Sequence, residues 1–176
     1  MAASGYADLL KLIPPTLISQ WSITDPVTQS LGDCRILGSN DATYGTVGWV
    51  PRQDGVPFAL LETTTIKDDD GIEANRVWST YGLNICLAID HADSAAVNEN
   101  YNLITVAWVD ALRQVVASNR RLTAAGSTVL YPTAGDVQWR MLLSKLVKRN
   151  IMQGIPYYSV EISTQIRIIN AVNYEV

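Results

Sequence analysis

Apolar residues alternate with polar ones over long stretches of this chain and recur at helical spacing in two others. From Tyr81 to Ile89 every odd position is apolar, which predicts a strand with one buried face. Upstream, 56–66 is rich in β-formers, and after Lys67 comes the polar turn Asp68-Asp69-Asp70-Gly71. The Asp-Gly step favours a tight turn, so 56–66 and 76–89 are expected to pair as a hairpin. Tyr158, Val160, Ile162, Thr164, Ile166 and Ile168 alternate with polar neighbours in a long final strand, whose edge is expected to be open to another chain. Residues 137–153 carry two periods. Val137, Trp139, Met141 and Leu143 alternate, while Trp139, Leu142, Leu143, Leu146 and Val147 suit a helix. The neighbouring strands tip the expectation to strand. A shorter strand is expected at 127–131, stopped by Pro132.

The clearest helix spans about 94–118. Val97, Tyr101, Ile104, Trp108, Ala111, Leu112 and Val115 form one apolar stripe. Asp93 or Ser94 can cap its start, and Arg120 and Arg121 follow its negative end, where cations are favoured. A shorter helix is expected over 6–13, with Ser4 as N-cap and Pro14 as its stop. Residues 19–55 show no lasting period and contain Gly32, Gly38, Gly45, Gly48, Gly55, Pro26 and Pro51. So long a loop is usually functional or disordered. Its apolar anchors Trp21, Leu31, Ile36, Tyr44 and Trp49 are expected to pack on something, a partner included. Strands gathered around one helix, without a βαβαβ rhythm, imply an α+β fold. Its mainly antiparallel sheet should pack against the long central helix and the short N-terminal one. The organisation read is one domain, with helix and long loop in 1–55 and the α+β core in 56–172.

Composition narrows the classes. The 176 residues are 48% hydrophobic and 17% charged, unlike a disordered, charge-dominated chain. The net charge of -4 and pI of 4.9 give no whole-domain basic footprint for duplex nucleic acid. No run approaches the ~20 apolar residues of a membrane span. The start lacks the basic region of a signal peptide, so the expectation is a soluble, intracellular or particle-associated protein. Charge is uneven: residues 1–88 hold 5 basic and 10 acidic side chains, and 89–176 hold 8 and 7. Two oppositely charged surfaces of one subunit would suit head-to-tail self-association.

Catalytic and metal-binding patterns are sparse. His91 is the one histidine, in Asp90-His91-Ala92-Asp93 between a strand and a helix. It reads as a polar loop residue near a cap, or as a general base or metal ligand beside carboxylates. Asp68-Asp69-Asp70-Gly71 lacks the alternating ligands of a calcium loop and reads as a solvated tip. Nucleophile-elbow, Walker and dinucleotide motifs are missing. Cys34 has Arg35 beside it, which could lower its pKa, whereas Cys86 reads as packing. With only two cysteines and no Cys/His cluster, neither a disulfide framework nor a zinc site is expected. The basic residues Arg113, Arg120, Arg121, Arg140, Lys145, Lys148, Arg149 and Arg167 fall in the second half. They read as solvated faces or as a surface for an acidic partner.

The order of elements over about 57–172 resembles the tail terminator family of tailed bacteriophages, with its related neck and minor tail proteins. The residues carrying this are the strand 81–89 with its Asp90-His91-Ala92-Asp93 exit and the helix around 103–119. The phrase Ser118-Asn119-Arg120-Arg121-Leu122 and the aromatic-led strand from Tyr157 to Ile168 complete it. The resemblance implies a non-enzymatic virion protein, without cofactor, that forms a ring, typically of six copies. Such a ring caps the tail tube, meets the head–tail connector, and meets the sheath where a tail is contractile. Genome DNA passes through it without sequence-specific binding. Assembly would take place in the host cytoplasm. The expected subunit or partner contacts are Trp21, Tyr44, Trp49, Asp68, Asp69, Asp70, Arg76, Arg120, Arg121, Arg140 and Arg149, with no catalytic or metal residues. Two other readings stand beside it. One is a small enzyme or ligand-binding domain around His91, Asp90, Asp93 and Cys34. The other is a single-strand nucleic-acid module using Trp139, Tyr157 and Tyr158 with Arg140 and Arg149.

Overall fold

A computed structural model describes residues 6–51, 57–68, 76–91, 95–122, 137–152 and 154–171. In chain order these form helix α1 (Tyr6–Gln20), short strands β1 (Ser22–Ile23), β2 (Gln29–Ser30) and β3 (Asp33–Ile36), and long strands β4 (Phe58–Asp68) and β5 (Arg76–His91). Helix α2 (Ala95–Ser118) and strands β6 (Val137–Met152) and β7 (Ile155–Ala171) follow. The fold is α+β, with an antiparallel-rich sheet, the longer helix α2 and the shorter α1. The strand expected at 127–131, the turn at 69–71 and the caps at 4 and 93–94 lie outside the described residues.

Five strands make the main sheet in the order β3-β4-β5-β7-β6, and β1 and β2 form a separate antiparallel ribbon. Only β3 and β4 run parallel; the other three pairings are antiparallel. The hairpin expected from 56–66 and 76–89 is β4–β5, with a bulge between Thr63 and Thr65. The ambiguous 137–153 stretch is strand β6. Gly154, at φ 84°, occupies the left-handed region that glycine tolerates, in the tight return from β6 to β7. That return places β6 alongside β7, so β7 has β5 on one side and β6 on the other. The last strand is therefore interior, contrary to the open edge expected of it.

The alternation seen in the sequence sets the core. Leu83, Ile85, Leu87 and Ile89 of β5 and Tyr158, Val160, Ile162, Ile166 and Ile168 of β7 are buried on the face that meets the helices. Across from them, Tyr101, Ile104, Trp108, Leu112 and Val115 of α2 fill the same core, as the stripe predicts. The other face carries a small cluster of Phe58, Ala88 and Tyr157, with Trp49, Leu60, Cys86 and Ile155 packed around it.

Helix α1 does not stop at Pro14. It runs on through Pro14 and Pro15 to Gln20. Each proline removes one backbone donor, yet Leu9, Ile13, Leu17 and, just past the end, Trp21 recur every fourth residue and are all fully buried. Burying Leu17 and Trp21 offsets two interior prolines, whose cost is about 3 kcal/mol each. The Thr16 hydroxyl also donates to the Leu12 carbonyl at 2.7 Å.

Candidate interaction site

The long segment after α1 folds onto its own chain. Trp21, Leu31 and Ile36 are core residues, so Trp21 is corrected from a partner contact to an interior one. An aromatic in a glycine-rich stretch, it continues the buried row of α1. Tyr44 packs half-buried against the main core. Trp49 lies edge-on to Phe58, with ring centroids 5.4 Å apart, and the Arg35 guanidinium stands over the Trp49 ring at 5.7 Å. Exposed apolar surface in this segment comes instead from Leu37, Val47 and Val50. Aliphatic residues in an aperiodic loop carry no signal that separates exposed from buried, so the sequence did not mark them.

Cys34 is fully buried, and burial, with the nearby Asp33 charge, pushes its thiol well above the ordinary value. The lowering expected from Arg35 is present but outweighed by burial. That guanidinium pairs with Asp33 at 3.0 Å and donates to the Thr43 carbonyl at 2.7 Å. His91 is the last residue of β5, its backbone opposite Tyr157; its side chain lies outside the described part, as do those of Arg76 and Arg149. Tyr157 and Tyr158 are buried, and the Trp139 indole donates to Thr164 at 3.1 Å inside the core. None of the three offers a ring face for stacking with a base. Among the described residues no cluster of His, Cys, Asp and Glu could hold a metal ion, and no helix is long and apolar enough to cross a membrane.

Three of the expected basic contacts do come together. Where α2 ends, the Asn119 side chain donates to the Val115 carbonyl at 2.7 Å and to Gln20 at the end of α1 at 2.6 Å. The chain then turns through Arg120 and Arg121 to Leu122, which takes φ 47° and is buried. The Arg120 carbonyl accepts the Trp139 amide at 2.8 Å, tying this turn to the outer side of β6. Between them opens a cleft of about 670 Å³, lined by Arg113, Val116, Ala117, Arg120, Arg121, Gln138, Trp139, Arg140 and Met141. Arg113 pairs with Asp110, one turn earlier on α2. The Arg140 guanidinium donates to Gln165 at 3.3 Å. Arg120 and Arg121 are exposed and, among the described residues, have no ion-pair partner.

The opposite side of the sheet carries Glu62 and Asp68, with Lys67 between them, among the described residues. Strand β3 covers β4 only from Phe58 to Leu61. Beyond it every residue from Glu62 to Asp68 is exposed, Ile66 to 68%. Residues 62–73 hold five acidic side chains and one basic, whereas residues 111–150, which span the α2 end and most of β6, hold seven basic and one acidic. The pairing register puts the end of β4 and the start of β6 at one height. Ile66 lies opposite Tyr81, Tyr81 opposite Ile166, and Ile166 opposite Trp139. Asp68, Ser79, Ile168 and Val137 form the next such row. Directly paired residues share a sheet face, so Ile66 projects on the same face as Trp139, the face that carries α2.

No family model matches this chain, and no curated protein matches it.

Proposed function

We propose that the chain is a non-enzymatic virion subunit, a phage tail terminator that assembles as a ring on the tail tube and joins it to the head-side connector. One observation carries the reading. Exposed Arg120 and Arg121 sit beside β6 at Trp139, on one lateral side of the sheet, and exposed Asp68 sits on the other side, one pairing row from the same height. Copies laid side by side bring the Asp68 side against the arginine side. A head-to-tail contact of this kind repeats with every subunit and closes into a ring where the rotation allows. In the strand order, β4 and β7 run one way and β5 and β6 the other. A neighbour's β4 therefore arrives antiparallel to β6 without inversion of the subunit. The exposed Leu37, Val47 and Val50 give the subunit apolar surface for the tube or the connector. The resemblance in element order supplies the destination, with a ring of typically six copies around passing DNA and a sheath contact where the tail contracts.

The deciding experiment is electron microscopy of the protein mixed with candidate tail tubes. A ring-shaped cap at one end of each tube is the expected result. Bare tube ends at protein concentrations well above the number of ends would overturn the reading.

A further inference from the structure

We propose that the arginine-lined cleft between the end of α2 and β6 is the receptor for the β4 tip of a second copy of this chain. The inference rests on the ring reading and adds the residues that make the contact. The cleft combines an apolar wall from Val116, Ala117 and Met141 with the cationic heads of Arg113, Arg120 and Arg121. Its occupant must therefore bring an apolar side chain next to carboxylates. The β4 tip has that composition. Ile66 is exposed, Asp68 follows two residues later, and the sequence continues with further acids.

Geometry selects the same occupant. Ile66 stands in the row that ends at Trp139, and Asp68 in the row that ends at Val137. A copy placed beside β6 with its strands at equal height sets its Ile66 level with the cleft and on the cleft's face of the sheet. Asp68 then falls near Arg120 and Arg121. The Trp139 amide is already bonded to the Arg120 carbonyl, so at this height the contact is a tip seated in a cleft, not a strand added to β6. Asp68 accepts a hydrogen bond from the Ser79 hydroxyl across the hairpin, which holds its carboxylate at the tip. Charge pairing gives the contact its register and its salt sensitivity, and burial of Ile66 adds apolar area.

Two measurements test this on the full chain. In a Cys86→Ser background, Ile66→Cys combined with Ala117→Cys should, on mild oxidation, give a thiol-reversible ladder of linked multimers. Either single cysteine variant should give nothing beyond dimers. Separately, Arg121→Glu should weaken association in sedimentation on the order of tenfold. Arg121→Asp with Asp68→Arg should restore it. Both positions are exposed, so the variants keep the fold, which circular dichroism checks. Rings visible by microscopy without the ladder or the rescue would overturn the cleft assignment and leave the ring reading standing. Neither a ladder nor a cap on tail tubes at any concentration would overturn both.

Discussion

The Trp21 indole donates to the Trp108 carbonyl at 2.8 Å, and the two rings meet edge-on with centroids 5.3 Å apart. This contact joins the end of α1 to the middle of α2 across 87 residues of chain. Both indoles are fully buried. Trp21→Ala should therefore cost about 3–5 kcal/mol, the range for emptying an aromatic site in a core. Trp21→Phe keeps most of the area but loses the donor and should cost roughly 1–2 kcal/mol. Urea unfolding followed by circular dichroism checks both, and a Trp21→Phe midpoint equal to that of Trp21→Ala would show that the hydrogen bond dominates.

A second buried relay crosses three strands. The Trp139 indole donates to the Thr164 hydroxyl at 3.1 Å, and that hydroxyl donates to the Leu83 carbonyl at 3.2 Å. Thr164→Val keeps the shape but strips the acceptor from a buried N–H. Leaving a buried donor unmet costs about 1–3 kcal/mol. Trp139→Phe removes the orphaned donor, so the double variant should be less destabilised than the sum of the two singles. Chemical denaturation of the four proteins closes that cycle.

The long strands β5 and β7 and helix α2 were legible because their periods are long, whereas β1, β2 and β3 lie in the stretch read as a loop. Tyr81–Ile89 and Tyr158–Ile168 alternate over many residues, and the apolar set of each faces the helices. The course of α1 past Pro14 was not legible. A local rule about proline competed with a tertiary reward, the burial of Leu17 and Trp21, which a one-dimensional pattern does not reveal. The same holds for the interior place of β7, decided by the partners that a tight return at Gly154 brings to it. Of the candidate site, the arginines were legible as charge and the aspartates as a turn. The common height of Asp68 and the arginine turn was not, because it depends on three successive pairing registers.

Pro15 offers a test of that competition. It is exposed, whereas Pro14 is buried and contributes packing. Pro15→Ala restores a backbone donor inside α1 and removes a ring clash with the preceding turn. Against this, proline restricts the unfolded chain, which is worth up to about 1 kcal/mol. The balance should stabilise the protein by roughly 1–2 kcal/mol. Pro14→Ala should gain less, since it also removes buried area. Thermal unfolding of the two variants beside the parent gives the order directly.

Asp41 predicts a pH dependence confined to one loop. Its Oδ1 accepts the amides of Thr43 and Tyr44 at 2.9 Å each, and Gly45 donates back to its carbonyl at 2.8 Å. The Tyr44 bond first, then the Thr43 bond, lowers the Asp41 pKa from its ordinary 3.8. A carboxylate whose folded pKa is depressed contributes stability that is fully present above the unfolded value and is lost as pH falls through the folded one. The loop should thus be fully closed at neutral pH and loosen only below about 4. Amide chemical shifts of Thr43 and Tyr44 should titrate together there, while those of β5 and β7 stay unchanged. Asp41→Asn retains an acceptor and should remove the titration while keeping the loop closed, whereas Asp41→Ala should open it at every pH. Gly45→Ala gives the independent check. A Cβ there would lie 2.3 Å from the Ser39 carbonyl oxygen and 2.5 Å from that of Asp41, both backbone atoms that cannot swing aside. That variant should therefore lose the Thr43 and Tyr44 signals of the closed loop even at pH 7, where the carboxylate is fully charged.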